Sequence, residues 1–282
     1  MKKIYSKLAG IFFAGCLMTS CIDLDYENYS NINSENFPVS ESDLEASTVG
    51  VYNTLCNSFI MQWLNNADWT LNELTTDELN TSWGNPWQQT ERFLWTANDM
   101  AGKSCYENYQ KGITKATRMI YAFQNSTVDE GKKSKYIAEL RVLRAMYANY
   151  LYCMVGAVPI VTDPDVANDV YSTWKPTRPS KEEYISFMIN EILDSYQQLE
   201  IEQSSENIGR LSQGAALTLL MKIYMNDKQW QNALDVSQKI MNLGVYELLP
   251  SYASIFDISN EGASNTERIF AIQRITSNQA YA

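Results

Sequence analysis

Apolar residues recur along most of this chain at intervals of three and four, the spacing that lines one face of an α-helix. Leu44, Thr48, Val51, Leu55 and Phe59 form the first such stripe. Ser40 stands ahead of it with Glu41 and Asp43 behind, an N-cap followed by an acidic first turn. Tyr106, Tyr109, Ile113, Ala116, Ile120 and Phe123 mark a second long helix, and Tyr136, Leu140, Leu143, Tyr147, Tyr150 and Met154 a third. Pro179-Ser180-Lys181-Glu182-Glu183 places a glutamate three residues after a serine, the pattern of a capping box. It opens a fourth helix with Tyr184, Met188, Ile192, Tyr196 and Leu199 on one face.

The last two helices form a pair. Ser212 caps one that runs through Leu217, Leu220 and Tyr224; after a break at Asn226-Asp227-Lys228, Trp230, Ala233, Leu234, Val236 and Ile240 continue on a second. The offset from Tyr224 to Ala233 matches the Tyr-to-Ala offset of a tetratricopeptide helix pair, where a small residue lets two helices approach closely. No run alternates apolar and polar residues as a half-buried strand does, and short extended pieces are expected only near Val158-Pro159-Ile160-Val161. The expected fold is mainly α: a tetratricopeptide-like helical-repeat scaffold with long loops.

The first twenty residues follow a different grammar. Lys2, Lys3 and Lys7 precede a short apolar run from Leu8 to Met18, too short for a spanning helix of about 20 residues. This reads as a secretory signal peptide over residues 1–20. Leu17-Met18-Thr19-Ser20-Cys21 resembles a bacterial lipobox, in which the cysteine receives the lipid; the plainer alternative is an ordinary signal peptide with incidental cysteines. Several acyl chains on Cys21 would anchor the chain without a transmembrane helix. Residues 21–37 read as an acidic and polar tether, and Ile22-Asp23-Leu24-Asp25-Tyr26-Glu27 resembles the tag that sends lipoproteins of Bacteroidota to the outer cell surface. The helical domain then occupies residues 38–282.

Composition narrows the chemistry. A formal charge of −11 argues against non-specific nucleic-acid binding, which needs basic residues to neutralise phosphates. The absence of any histidine removes Ser-His-Asp and Cys-His catalysis and most zinc sites. A glycosidase built from two carboxylates stays open in principle, but no pair stands at a defining spacing. Cys56, Cys105 and Cys153 remain beyond Cys21 and fall in helical patterns, so they are expected to be buried free thiols. No metal or cofactor site is expected.

Five of the seven tryptophans (Trp63, Trp69, Trp83, Trp87 and Trp95) lie between positions 63 and 95. Residues 77–89 contain Gly84 and Pro86, which mark a loop. Sugars present C–H faces to flat aromatic rings and hydroxyls to amides and carboxylates, so Asp77, Asn80, Trp83, Asn85 and Trp87 are the candidate ligand-binding residues. The competing reading has Trp83 and Trp87 pinning the loop to the core. Tyr171 and Trp174, beside Pro176 and Pro179, form a second and weaker aromatic loop. Asp163 and Asp165 around Pro164 read as a solvated turn, since no third ligand is fixed by spacing.

Ordered segments of the chain resemble the SusD/RagB family. Residues 139–164 read Glu139-Leu140-Arg141-Val142-Leu143-Arg144-Ala145, then Tyr147, Tyr150 and Leu151, then Gly156-Ala157-Val158-Pro159-Ile160-Val161. Gly209-Arg210-Leu211-Ser212-Gln213-Gly214-Ala215-Ala216, Tyr246-Glu247-Leu248 and Glu267-Arg268-Ile269-Phe270 follow, with Thr76-Asp77-Glu78, Trp95 and Asn98 on the N-terminal side. By that pattern Trp95 belongs to the core, and Ser212 stands where the family has threonine. The resemblance implies a surface lipoprotein, not an enzyme, that binds nutrient oligosaccharide and delivers it to a SusC-type TonB-dependent transporter in the outer membrane. Peptide or another nutrient on the same scaffold is the alternative cargo. Family members usually continue well past the Glu-x-Ile-Phe segment, so the domain is expected to be incomplete at its C-terminus.

Overall fold

The computed structural model describes residues 37–282 except 60–67, 83, 85–86, 97–99, 170, 261–264 and 273–282. Nine α-helices run through the described residues in chain order: α1 (Glu41–Phe59), α2 (Asp68–Leu74), α3 (Trp87–Glu91), α4 (Met100–Gln124), α5 (Glu130–Val155), α6 (Pro164–Asn168), α7 (Lys181–Leu193), α8 (Gln213–Asn226) and α9 (Trp230–Asn242). No strand occurs among the described residues. The lipobox with Cys21, the acidic segment after it, and Trp83, Asn85 and Asn98 lie outside the described residues.

α5 is the centre of the fold, packed against α1, α4 and α7. It is buried on nearly every side, so its polar residues must find partners inside the protein. The stripes on α1 and α4 do what their spacing dictates: Leu44, Thr48, Val51 and Leu55 are buried on one helix, Tyr109, Ile113, Ala116, Ile120 and Phe123 on the other. Two buried tyrosine hydroxyls are satisfied across the interfaces. Tyr147 Oη donates to the carbonyl of Val51 at 2.6 Å, and Tyr184 Oη to that of Ala148 at 3.0 Å.

Two buried charge networks clamp the helices onto α5. In the first, Arg210 before α8 places Nε 3.0 Å and Nη2 2.5 Å from the two carboxylate oxygens of Glu139 on α5. Tyr52 of α1 donates to Glu139 at 2.5 Å and accepts from the Leu211 amide at 2.8 Å, and the guanidinium lies over the Tyr136 ring. Burial, then the adjacent Glu139 carboxylate, push the Tyr52 hydroxyl well above its ordinary range, so it stays a neutral donor. Burial pulls Arg210 down, but its bonds to Glu139 outweigh that and hold it above its usual range. In the second network, Glu191 of α7 accepts from Arg144 at 2.6 Å and from Arg141 at 2.9 Å, and Arg144 also donates to Thr117 of α4 at 3.0 Å. The Arg141, Arg144 and Arg210 positions of the family-like segments are therefore joints between helices.

The stretch Val158–Val161 is extended but unpaired, because side chains of α4 take its carbonyls. Gln110 donates to Pro159 at 2.7 Å and Thr117 to Val161 at 2.8 Å. The fourth helix ends at Leu193, earlier than its stripe predicted; a 3₁₀ turn over Tyr196–Gln198 carries the pattern on to buried Leu199. The capping box is formed, with the Glu183 amide on Ser180 Oγ at 3.1 Å and Glu183 Oε2 on the Ser180 amide at 2.8 Å.

α8 and α9 pack as the Tyr224/Ala233 offset predicts, with both residues buried. α8 closes with the Lys228 and Gln229 amides on the carbonyls of Met225 and Tyr224, and Lys228 takes a positive φ of 61°. Gly214 is required at the start of α8: a Cβ there would sit 2.1 Å from Tyr246 Oη. One thiol departs from expectation. Cys105 is buried, but Cys153 is exposed: in the last turn of α5 it is Tyr152 that packs on α7, stacking on Tyr184, and Cys153 beside it stays open to solvent; Cys56 is not described at side-chain level.

Candidate functional site

The loop that carries most of the predicted binding residues is built on a small satellite core. Leu74 at the end of α2 and Trp87 at the start of α3 are buried against each other, with Leu71 and Leu79 around them. Trp87 is only 8% exposed, so its ring holds the loop and has little face to offer a ligand. The Thr81 amide donates to Glu91 Oε2 at 3.3 Å, tying the far end of the loop to α3. Thr76 caps α2 by bonding the Glu73 carbonyl at 2.7 Å, and the Glu78 amide bonds Thr76 Oγ1 at 3.2 Å. Asp77 and Asn80, on either side of Leu79, are exposed with their side chains toward solvent.

The end of α3 adds residues that the pattern did not single out. The Leu94 amide reaches the Gln89 carbonyl at 2.8 Å and the Phe93 amide that of Thr90 at 3.1 Å, the two bonds of a Schellman cap. Such a cap needs a left-handed residue just past the helix, normally glycine. Here it is Phe93, with φ 56°. A bulky aromatic at that position is strained, and strain of this kind concentrates at functional sites. The result is an exposed apolar tip: Phe93 62%, Leu94 63% and Trp95 49% exposed, with the Phe93 and Trp95 rings 5.3 Å apart.

Trp95 is therefore not core, a correction to the expectation drawn from the family pattern. The cap turns the chain outward before the next helix begins, and Trp95 leaves with it. One sequence signal was available: Phe93-Leu94-Trp95 are three consecutive large apolar residues where no helical or strand period uses all three. In the second aromatic loop Tyr171 is 88% and Trp174 42% exposed. Asp163 caps the short helix α6, accepting from the Asp165 amide at 2.9 Å. Among the described residues no group of three or more His, Cys, Asp or Glu is placed to hold a metal ion.

Taken together, the fold and this surface define a helical scaffold that presents aromatic and amide-bearing loops. Comparison with known proteins shows what the chain is similar to. No family model matches the chain. Over 98% of its length it is 26% identical to a SusD-like protein of Bacteroides ovatus, of which it covers 51%. A crystal structure of a SusD-like carbohydrate binding protein from Bacteroides fragilis superposes with a TM-score of 0.71 at 26% identity, covering 84% of this chain and 47% of that one. Surface glycan-binding protein A from Bacteroides thetaiotaomicron, in complex with laminarihexaose, gives 0.65 at 20% identity, covering 81% and 48%. By sequence and by fold, the chain is similar to SusD-like proteins. It spans about half the length of the relatives it matches. Among the described residues no helix is long and apolar enough to cross a membrane.

Proposed function

We propose that this protein is a lipid-anchored surface lipoprotein that binds nutrient glycan and delivers it to a TonB-dependent outer-membrane transporter, without cleaving it. The observation that carries the reading is the exposed Phe93–Trp95 pair, held out just past the cap of α3. Flat rings suit the C–H faces of pyranoses. The exposed carboxylate of Asp77 and amide of Asn80, on the loop before α3, suit hydroxyl groups, and Trp83 and Asn85 of that loop are proposed to add to the binding surface. The relatives named for carbohydrate or glycan binding support the ligand class. Cys21 is the proposed attachment point, through several acyl chains.

Phe93 supplies a test that separates function from folding. Phe93→Gly relieves the left-handed strain and is expected to leave the melting temperature unchanged or raise it, by about 1 kcal/mol of stability. It also removes one ring of the platform. On a glycan microarray, the wild-type chain is expected to retain one polysaccharide class, and Phe93→Gly and Trp95→Ala to lose roughly three- to tenfold in affinity for it. Equal retention by all three proteins contradicts this site. Retention of peptides instead of glycans would replace the cargo and keep the scaffold.

A further inference from the structure

We infer that the groove walled by Trp174 is a second sugar subsite, accepting one ring of a neutral glycan; this rests on the glycan-binding reading above. The groove lies between the extended segment after α5 and the start of α7 and has a volume of about 230 Å³. Its apolar wall is Trp174, Ile160, Pro176 and Phe187, and Thr162 and Thr177 place hydroxyls at its edge. Neither threonine side chain is engaged by another group among the described residues, so both can serve a ligand's hydroxyls. No lysine or arginine lines the groove, and its one acid, Glu183, is already committed to the Ser180 cap. A flat apolar face, free hydroxyls and the absence of a lining cation fit a neutral pyranose better than an anionic ligand.

The backbone leading to Trp174 is turned by the Tyr171 amide on Asp169 Oδ1 at 2.8 Å, the Ser172 amide on the Asp169 carbonyl at 3.2 Å and the Trp174 amide on Ser172 Oγ at 3.3 Å. Pro176 and Pro179 restrict the backbone beyond it. The contrast with Trp87 is informative: a tryptophan used only for packing is 8% exposed here, whereas Trp174 keeps 42% of its surface open on the groove.

The test is affinity electrophoresis of the full chain through native gels containing laminarin, xyloglucan, galactomannan or starch. Where the wild type is retarded, Trp174→Ala is expected to bind roughly five- to tenfold more weakly, Trp174→Phe to recover most of the loss, and Thr162→Val/Thr177→Val to weaken binding with Trp174 intact. Thermal melts of the variants are expected to stay within a few degrees of wild type, since these side chains are exposed or half-buried. Unchanged retardation of both Trp174→Ala and the threonine pair overturns the subsite and leaves the parent reading standing. A wild-type lane retarded by none of the gels contradicts the parent reading, and this one with it. Variants that keep their retardation but lose association with a transporter also overturn the subsite, as a protein-docking face.

Discussion

Arg210→Ala is expected to destabilise the fold by about 3–5 kcal/mol, the cost of stranding one member of a buried ion pair, seen as a fall of roughly 10 °C in the melting midpoint. Arg210 places two nitrogens on the two oxygens of Glu139, whose side chain is 3% exposed. Without the guanidinium, Glu139 keeps only the Tyr52 hydroxyl among the described residues, inside a buried site. Tyr52 also accepts from the Leu211 amide, so the loss loosens the entry to α8 as well as the α1–α5 contact. The desolvation argument makes a second, less intuitive claim. Arg210→Met combined with Glu139→Leu is expected to recover much of the loss, because no charge is then left buried. Circular dichroism melts of the three proteins check both statements. A single-variant loss under about 1 kcal/mol would show that water reaches the pair and that it acts as a surface bridge.

Glu191→Ala is expected to cost a similar amount, about 3–5 kcal/mol. Glu191 is the only acid bonded to Arg144 among the described residues, and it shares Arg141 with exposed Asp194. Its removal leaves the Arg144 guanidinium with Thr117 and the face of Phe187. Arg141 can turn to Asp194 and lose less. Arg144→Met is therefore expected to offset the damage of Glu191→Ala, and Arg141→Met to offset little of it, in a double-mutant cycle by chemical denaturation. Equal rescue by both arginine variants would mean that the acid pairs with them interchangeably.

Much of the scaffold is legible from spacing alone. The stripes on α1, α4 and α5, the Ser180 box and the Tyr224/Ala233 pair all fall where local periodicity and capping chemistry place them. These are short-range effects, carried within a few residues. What escapes is whatever depends on a distant partner. Val158–Val161 has a strand-like composition, yet Gln110 and Thr117 take its carbonyls from a helix more than forty residues away. The arginines of the family-like segments carry no visible sign of their acids until the helices meet. Cys153 looks like a core thiol by period, but in the last turn of α5 it is Tyr152 that packs on α7, and Cys153 stays exposed.

The candidate surface divides in the same way. Gly84 and Pro86 announce a loop, and its aromatic and amide content is what makes it the candidate surface. Trp87, however, is recruited to the packing of Leu74, which composition cannot show. Phe93 is hidden for the opposite reason. A phenylalanine standing in a glycine's left-handed role has no signature in sequence, and only the Schellman geometry reveals that Phe93 and Trp95 are thrown outward. Asp77 and Asn80 stand exposed on the loop before α3.

The central claim, capture of glycan without cleavage, is tested most directly by one titration read in two ways. The folded chain is titrated calorimetrically with a soluble polysaccharide from the class retained on the array, and the mixture is then assayed for new reducing ends. The account predicts a saturable heat, weakened in Trp95→Ala, and no increase in reducing ends on prolonged incubation. Absence of heat with every polysaccharide from a chain that melts cooperatively, or reducing ends that accumulate with time, would contradict it.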